Sequence, residues 1–523
     1  MRIIDFFDRG ALIARNRACT IDYETGLTRT FEEVQRASHQ VANGLLAAGA
    51  EPEVTKIAVY SPNCGRALEA VLGVLRSGAV WAPVNARNSI QDIAYLLDKN
   101  DVEILLYHSD FEEYVGKLRE ACPKLRLLAP IDVPGTSNAA ASVDRWLAMP
   151  FALAPQRPER SEAPMAIFGS GGTTGKPKGV VHSHRTWECL AMNVNVSMPP
   201  KTGYPVHLVV APMTHAAGSV ALPLLGVGAT QVLMKSFDAK QVLTAIGEYR
   251  VTHLFLPPTA VYMLLAEPTV RQHDYSSLEY FIYAAAPMSV EKVREAMDIF
   301  GPVMVQTYGQ TEAGALIGTF FSSAAHVHAL RERPDRLASC GQATLLTKLK
   351  IVDDDGHTLP FGEKGEIAIG GDFQMLHYYK NEEATAEVRR DGWVLTGDVG
   401  RMDEDGFVYI VDRKREMIIT GGFNVYPSEI EQVIFTHPAV QDCAVIGVPD
   451  EKWGEAVKAI VQLRPGAETT EQEIIALCKD RLGGVMAPKS VEFWPDLPKS
   501  AVGKVVRRVV REQYWAGRQR SLV

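Results

Sequence analysis

Residues 168–179 read FGSGGTTGKPKG, a spacing of glycines, hydroxyls and lysines suited to holding a phosphate chain. Glycine lets backbone N–H groups approach phosphate oxygens closely. Ser170, Thr173 and Thr174 add hydroxyl donors, and Lys176 and Lys178 add positive charge. An apolar segment, APMAIF, leads into the loop, as expected of a strand that ends there. A Walker A loop, G-x-x-x-x-G-K-[ST], does not fit. Ser170 stands where its first glycine belongs, and Pro177 follows Lys176 where a magnesium-binding hydroxyl belongs.

Further segments carry polar residues in a fixed order: YGQTE at 308–312, TGD at 396–398, YIVDRKREMI around Arg413, TGGFNVYPSEIE from Thr420, and PKSAVGK at 498–504. Taken with the loop, they resemble the motifs of the adenylate-forming (AMP-binding) superfamily, on its acyl-CoA synthetase and aryl-CoA ligase branch. That family's loop reads T-S-G-T-T-G-x-P-K-G. Here Ser170 and Gly171 replace its first two residues, which removes one hydroxyl and keeps the loop small.

The resemblance implies a role for each matching residue. Ser170, Gly171, Gly172, Thr173, Thr174, Gly175 and Lys178 would hold phosphates. Tyr308 would stack on adenine, flanked by Thr307, Gly309 and Gln310, while Thr311 reaches the α-phosphate and Glu312 binds magnesium. Ala285, Ala286 and Pro287 would keep the wall beside the base thin. Asp398 would accept from the ribose hydroxyls, Arg413 would make the second ribose contact, and Ile410 would lie on the adenine face. Arg415 stands at the family's hinge position, where torsional freedom matters more than a specific group. Gly421 and Gly422 would line the pantetheine tunnel, and Lys504 is the implied catalytic lysine. His215, in APMTHAAG, matches P-x-x-H-x-x-G and would border the acid pocket with Ala216, Gly218, Tyr283, Ala284 and Gly309.

The implied reaction joins a carboxylic acid to coenzyme A through an acyl-adenylate, consuming ATP with magnesium and releasing AMP and pyrophosphate. The expected pocket segments are rich in Ala, Gly, Leu and Tyr, and apart from His215 they offer no group to fix a second charge. A buried second carboxylate would lack a partner, so a hydrophobic monocarboxylic acid, medium-chain or aromatic, is expected. Two other readings stay open. One is an adenylating enzyme with an acceptor other than coenzyme A; the other is a non-catalytic nucleotide sensor.

The elements that must position these residues alternate. TFEEVQRASHQVANGLLAAGA reads as a helix with Thr30 and Glu33 as a capping box, KIAVYSPN as a strand, and RALEAVLGVLRSGAVWAPVN as helix, glycine break and strand. Helix and strand keep alternating to about residue 345, which predicts an α/β fold with largely parallel sheets. A β-rich stretch with D-G and G-G turns follows, and the tail has its own helix–strand set. The expected organisation is a large N-terminal domain at 1–412 with a β-rich subdomain, a hinge at 413–415 and a small mobile α+β domain at 416–523. A net charge of −8 argues against coating nucleic acid. No apolar run approaches the ~20 residues that span a bilayer. The start, MRIIDFFDRGALIARNRA, reads as an amphipathic helix rather than a secretory signal. Seven scattered cysteines without a C-x-x-C pair suggest reduced thiols in a cytoplasmic protein, without a zinc site. The implied partners are the acid, ATP and coenzyme A, with the chain a monomer or a homodimer.

Overall fold

The computed structural model describes residues 1–133, 141–158, 160–170, 177–286, 288–313, 316–499 and 505–515. By its contacts the chain divides into two compact units, Met1–Leu349 with Ala368–Thr396 and Lys350–Ile367 with Gly397–Val523.

Alternation of helix and strand makes the first unit α/β, as expected. Among the described residues one sheet has seven strands, with Val80–Pro83, Lys56–Tyr60 and Val102–Tyr107 parallel in its interior and Leu127–Pro130 parallel to them at one edge. Pro164–Gly169 joins Val80–Pro83 in parallel, and Gly179–Ser183 and His377–Tyr378 follow antiparallel at the other edge. The loop at 170–178 therefore connects two neighbouring antiparallel strands. The second sheet has nine strands; Val206–Val209, His253–Leu256, Tyr280–Tyr283 and Met304–Tyr308 run parallel, and Thr319–Phe321 turns back along the last. One apolar core joins residues from both sheets, from Ile57 and Trp81 to Ile282 and Val305.

Local chemistry explains the element ends. Thr30 Oγ1 accepts from the Glu33 N–H at 3.2 Å, and the Glu33 carboxylate accepts from the Thr30 N–H at 2.7 Å, closing the capping box of Phe31–Ala47. Gly78, at φ +82, ends Gly65–Ser77 and hands the chain to Val80–Pro83. The N-terminal segment forms the helix Ile3–Ile13, burying Ile3, Ile4 and Phe7.

In the second unit, residues 398–402 pair antiparallel with Val408–Arg413. Beyond them Ile418–Thr420, Phe423–Val425, Val440–Asp450, Gly454–Leu463 and Ser490–Phe493 form a sheet. Helices Pro427–Ile434 and Glu471–Met486 share its core through Ile430, Ile434, Ile474 and Cys478. The second helix is broken at Gly483, whose φ is +82. All seven cysteines are free and buried. Among the described residues no helix is long and apolar enough to cross a membrane.

Candidate active site

In the first unit the base of the glycine-rich loop is closed by two hydrogen bonds. The Ser170 N–H donates to the Lys178 carbonyl at 2.8 Å, and the Lys178 N–H donates to Ser170 Oγ at 2.9 Å. Ser170, grouped above with the phosphate ligands, thus uses its hydroxyl to accept the amide that ends the loop. Gly171, Gly172, Thr173, Thr174, Gly175 and Lys176 lie outside the described residues, as does Pro287.

Lys178 places its ammonium 4.8 Å from the centroid of the Tyr378 ring. The Tyr378 hydroxyl donates to Glu312 Oε1 at 2.8 Å. This arrangement follows from register, because Tyr378 pairs with Val180, two residues beyond Lys178. A cation, a phenol and a carboxylate are thereby set in series beside the loop. The backbone of 310–313 is a tight turn: the Ala313 N–H donates to the Gln310 carbonyl at 3.0 Å, and the Met375 N–H donates to the Glu312 carbonyl at 2.9 Å. The Gln310 amide donates to the Thr396 carbonyl at 2.7 Å. Thr307 is buried, and its hydroxyl has no hydrogen-bond partner among the described residues.

Ala285 has φ +69, a left-handed conformation that a residue with a Cβ rarely adopts. Strain of this kind is kept where the surroundings enforce it, and here it falls in the small-residue segment expected beside the base. Ala284 is buried in the main core together with Met213, Ala217 and Ile282. Tyr283 does not share that face. Its ring packs against His326 at 5.8 Å, and its hydroxyl lies 2.8 Å from His326 Nε2 and 3.1 Å from Gln306 Oε1. His326 Nδ1 bonds the Ser322 carbonyl at 2.9 Å, which leaves Nε2 as the acceptor of the Tyr283 proton. Tyr283 and Ala284, both expected at the acid pocket, thus face opposite ways, as successive residues of extended chain do.

His215 sits in the turn before the helix Gly218–Leu225, where its carbonyl accepts from the Gly218 N–H at 3.0 Å. A Cβ on Gly218 would lie 2.0 Å from the Met213 carbonyl oxygen, so this turn requires glycine. The His215 ring is accessible, yet protein surrounds it closely enough that desolvation lowers its pKa. Ala216 is partly buried against the same core.

In the second unit Asp398 and Arg413 are directly opposite across the antiparallel pair. Arg413 Nε lies 2.6 Å from Asp398 Oδ1, with the carboxylate almost fully buried and the guanidinium half exposed. Ile410, on the same strand as Arg413, is 36% exposed. Arg415 lies in the single 3-10 turn Lys414–Glu416. Gly421 and Gly422 form the two-residue hairpin between Ile418–Thr420 and Phe423–Val425, with φ of +57 and +81. A Cβ on Gly421 would lie 2.6 Å from the Trp453 ring. Lys504 lies outside the described residues.

Sequence reasoning passed over three residues that the structure puts at these places. Tyr378 holds Glu312, His182 Nε2 lies 2.6 Å from the Thr311 carbonyl oxygen, and Arg507 bonds Asp412, Glu416, Ser428 and Glu431. No local pattern marks the first two. Arg507 could have drawn notice as a cation three residues beyond Lys504.

A family model described as "AMP-binding enzyme" matches residues 7–379, and one described as "AMP-binding enzyme C-terminal domain" matches residues 429–504. A feruloyl-CoA synthase of Amycolatopsis sp is 35% identical over 493 residues, covering 94% of this chain and 94% of its own. A medium/long-chain-fatty-acid–CoA ligase of Mycobacterium tuberculosis is 35% identical over 449 residues, covering 83% of this chain and 77% of its own. Among solved structures, the amide bond synthetase McbA from Marinactinospora thermotolerans has a TM-score of 0.85 at 28% identity, over 98% of this chain and 100% of that one.

Proposed function

Since this chain belongs to the AMP-binding enzyme family, in its acyl-CoA synthetase branch, we propose that it activates a hydrophobic monocarboxylic acid, medium-chain or aromatic, for transfer to coenzyme A. It is an AMP-forming acid–thiol ligase that uses ATP and coenzyme A. A carboxylate oxygen attacks the α-phosphorus of ATP, the bond to pyrophosphate breaks, and the acyl-AMP anhydride forms. The thiol sulfur of coenzyme A then attacks the acyl carbon, AMP leaves with the bonding electrons, and the thiol proton is released.

Two anions meet in the first step, so positive charge and fixed geometry carry the catalysis. The observation that carries our site assignment is the series Lys178, Tyr378, Glu312 beside the loop. Lys178 and the backbone at 171–175 bind phosphate, Thr311 meets the α-phosphate, and Tyr308 lies against adenine. The unpartnered hydroxyl of Thr307 leaves a hydrogen-bonding group free at this place. Asp398, held by Arg413, accepts from the ribose. Lys504 supplies the cation of the adenylation step, and Gly421 and Gly422 keep the backbone thin for pantetheine. One carboxylate oriented by a phenol fits a hard cation that takes most of its ligands from phosphate and water, so Glu312 would hold magnesium. When bound, the ion neutralises phosphate charge.

Two features support an apolar acyl tail. Residues 213–218 and 284–286 offer small or apolar side chains with His215 as their sole ionisable group. Tyr283, the bulkiest neighbour, is turned away to His326. Each buried methylene is worth ~0.8 kcal/mol, so six additional carbons would favour octanoate over acetate by several kcal/mol. The test is kcat/KM for acetate, octanoate, benzoate, a phenylpropanoid acid and succinate. A preference for acetate or succinate would overturn the substrate assignment. The likeness to an amide bond synthetase supports a second reading, an amine as acceptor. Mass spectrometry of products formed with coenzyme A and with amines decides between them.

A further inference from the structure

We propose that His182 is a positioning residue for adenylation, holding the Thr311 carbonyl and with it the turn that presents Thr311 and Glu312. The inference rests on the AMP-forming reading above.

His182 belongs to the strand Gly179–Ser183, which begins at the foot of the glycine-rich loop. Its ring is 1% exposed. Phe168 lies 5.0 Å away on one side and Trp187 6.5 Å away, the two being stacked on each other at 5.8 Å. The Trp187 indole N–H donates to His182 Nδ1 at 3.1 Å. An indole nitrogen can only donate, so Nδ1 must carry the lone pair and Nε2 the proton. Nε2–H then donates to the Thr311 carbonyl at 2.6 Å. Trp187 thus fixes both the tautomer and the ring plane. Burial lowers the imidazole pKa to about 4, so the ring stays neutral at ordinary pH.

The three carbonyls of the turn are each held. Gln310 O accepts from Ala313 N–H, Glu312 O accepts from Met375 N–H, and Thr311 O accepts from His182. The last bond comes from a side chain, so one substitution can remove it and leave the backbone network intact. The same short strand serves both groups of the site. Val180 pairs with Tyr378, which orients the Glu312 carboxylate, and His182 orients the peptide between Thr311 and Glu312. Without that bond the peptide plane can rotate, and both side chains move relative to the loop that holds phosphate. His182 touches no reacting atom and donates no proton in the reaction.

Three variants separate this role from a structural one. His182→Gln places an amide N–H near the position of Nε2. His182→Asn places an acceptor near Nδ1 for Trp187 and gives Thr311 no donor. His182→Leu removes both bonds. Each is measured for thermal melting, for kcat and KM of ATP in acid-dependent pyrophosphate release, and for thioester formation from supplied acyl-AMP and coenzyme A. The acid is whichever of the five above wild type turns over fastest. Leaving the partly buried Thr311 carbonyl without its donor should lower adenylation kcat/KM for ATP about tenfold in the Asn and Leu variants. Thioester formation should stay within about threefold, and the Gln variant should recover adenylation to within about threefold of wild type. Equal loss of both half-reactions, wild-type adenylation in the Asn variant, or a folded Gln variant no better than Asn would each overturn the inference. A wild-type protein that releases no pyrophosphate with any acid would overturn the ligase reading itself.

Discussion

Replacing Arg507 by methionine should loosen the second unit by several kcal/mol. Arg507 opens the short helix Arg507–Glu512 and is largely buried. Its Nε donates to Glu431 Oε1 at 2.8 Å, its two terminal nitrogens reach Asp412 at 3.1 Å and Ser428 Oγ at 2.7 Å, and further bonds go to Glu416 and to Glu431 Oε2. Burial works against the charge, but Glu431, Asp412 and Glu416 outweigh it and hold the guanidinium more firmly protonated than usual. The two flanks of the 413–415 segment, Asp412 and Glu416, are therefore tied to one cation. Methionine fills similar space and removes the cation that Asp412, Glu416 and Glu431 share among the described residues. Asp412 would keep the Ser428 and Arg413 N–H groups, and Glu431 the Val445 N–H. Breaking a buried pair by removing one partner costs about 3–5 kcal/mol. Hydrogen exchange read peptide by peptide is the assay, because it isolates this unit. Protection of Pro427–Ile434 and Val440–Asp450 should fall by about 100-fold or more. Adding Glu431→Gln should recover part of the loss by lowering the net negative charge. A change below about fivefold, or no recovery in the double variant, would refute the reasoning.

Lys504→Ala should abolish acyl-AMP formation and largely spare thioester formation from supplied acyl-AMP, which a pyrophosphate assay and a thioester assay measure separately; equal loss of both would refute a role confined to adenylation. Gly421→Ala puts a Cβ into a left-handed φ and against Trp453, so thioester formation should fall about tenfold or more with adenylation nearly intact. Burial lowers His182, His207 and His326 to about 4 and His253 to about 3, all below the unfolded value of 6.5. The folded state then binds fewer protons than the unfolded state below about pH 6.5, so stability is complete above that pH and is lost as pH falls toward 4. Each histidine adds a slope of about 1 kcal/mol per pH unit, and urea midpoints measured from pH 7 to pH 5 should fall accordingly. A flat profile would mean these rings are not neutral in the fold.

Local features were legible in the sequence because the residues that make them are neighbours. Thr30 and Glu33 cap a helix three residues apart, and Gly78 separates helix from strand. The alternating texture yielded the α/β class for the same reason. Contacts that depend on register were not legible. Tyr378 and Glu312 are 66 residues apart, His182 and Thr311 are 129 apart, and Arg507 and Asp412 are 95 apart. Nothing near His182 distinguishes it from the neighbouring His184. Tyr283 illustrates a different limit. The run YFIY is buried on both faces, so composition cannot tell which residues face the acid segment, and strand parity decides it. Ser170 was readable as a loop hydroxyl, but its use as the acceptor that closes the loop depends on Lys178 across the strand pair. Asp398 and Arg413 were paired through the resemblance, and the register that joins them is a property of the fold.

The central claim is attack of a carboxylate oxygen on the α-phosphorus. It is tested most directly with an acid labelled with 18O in its carboxyl group, incubated with ATP, coenzyme A and the enzyme. Mass spectrometry of the products should find one labelled oxygen in AMP for each acyl-CoA formed, with pyrophosphate unlabelled. Label in phosphate or pyrophosphate, or ADP in place of AMP, would contradict the account.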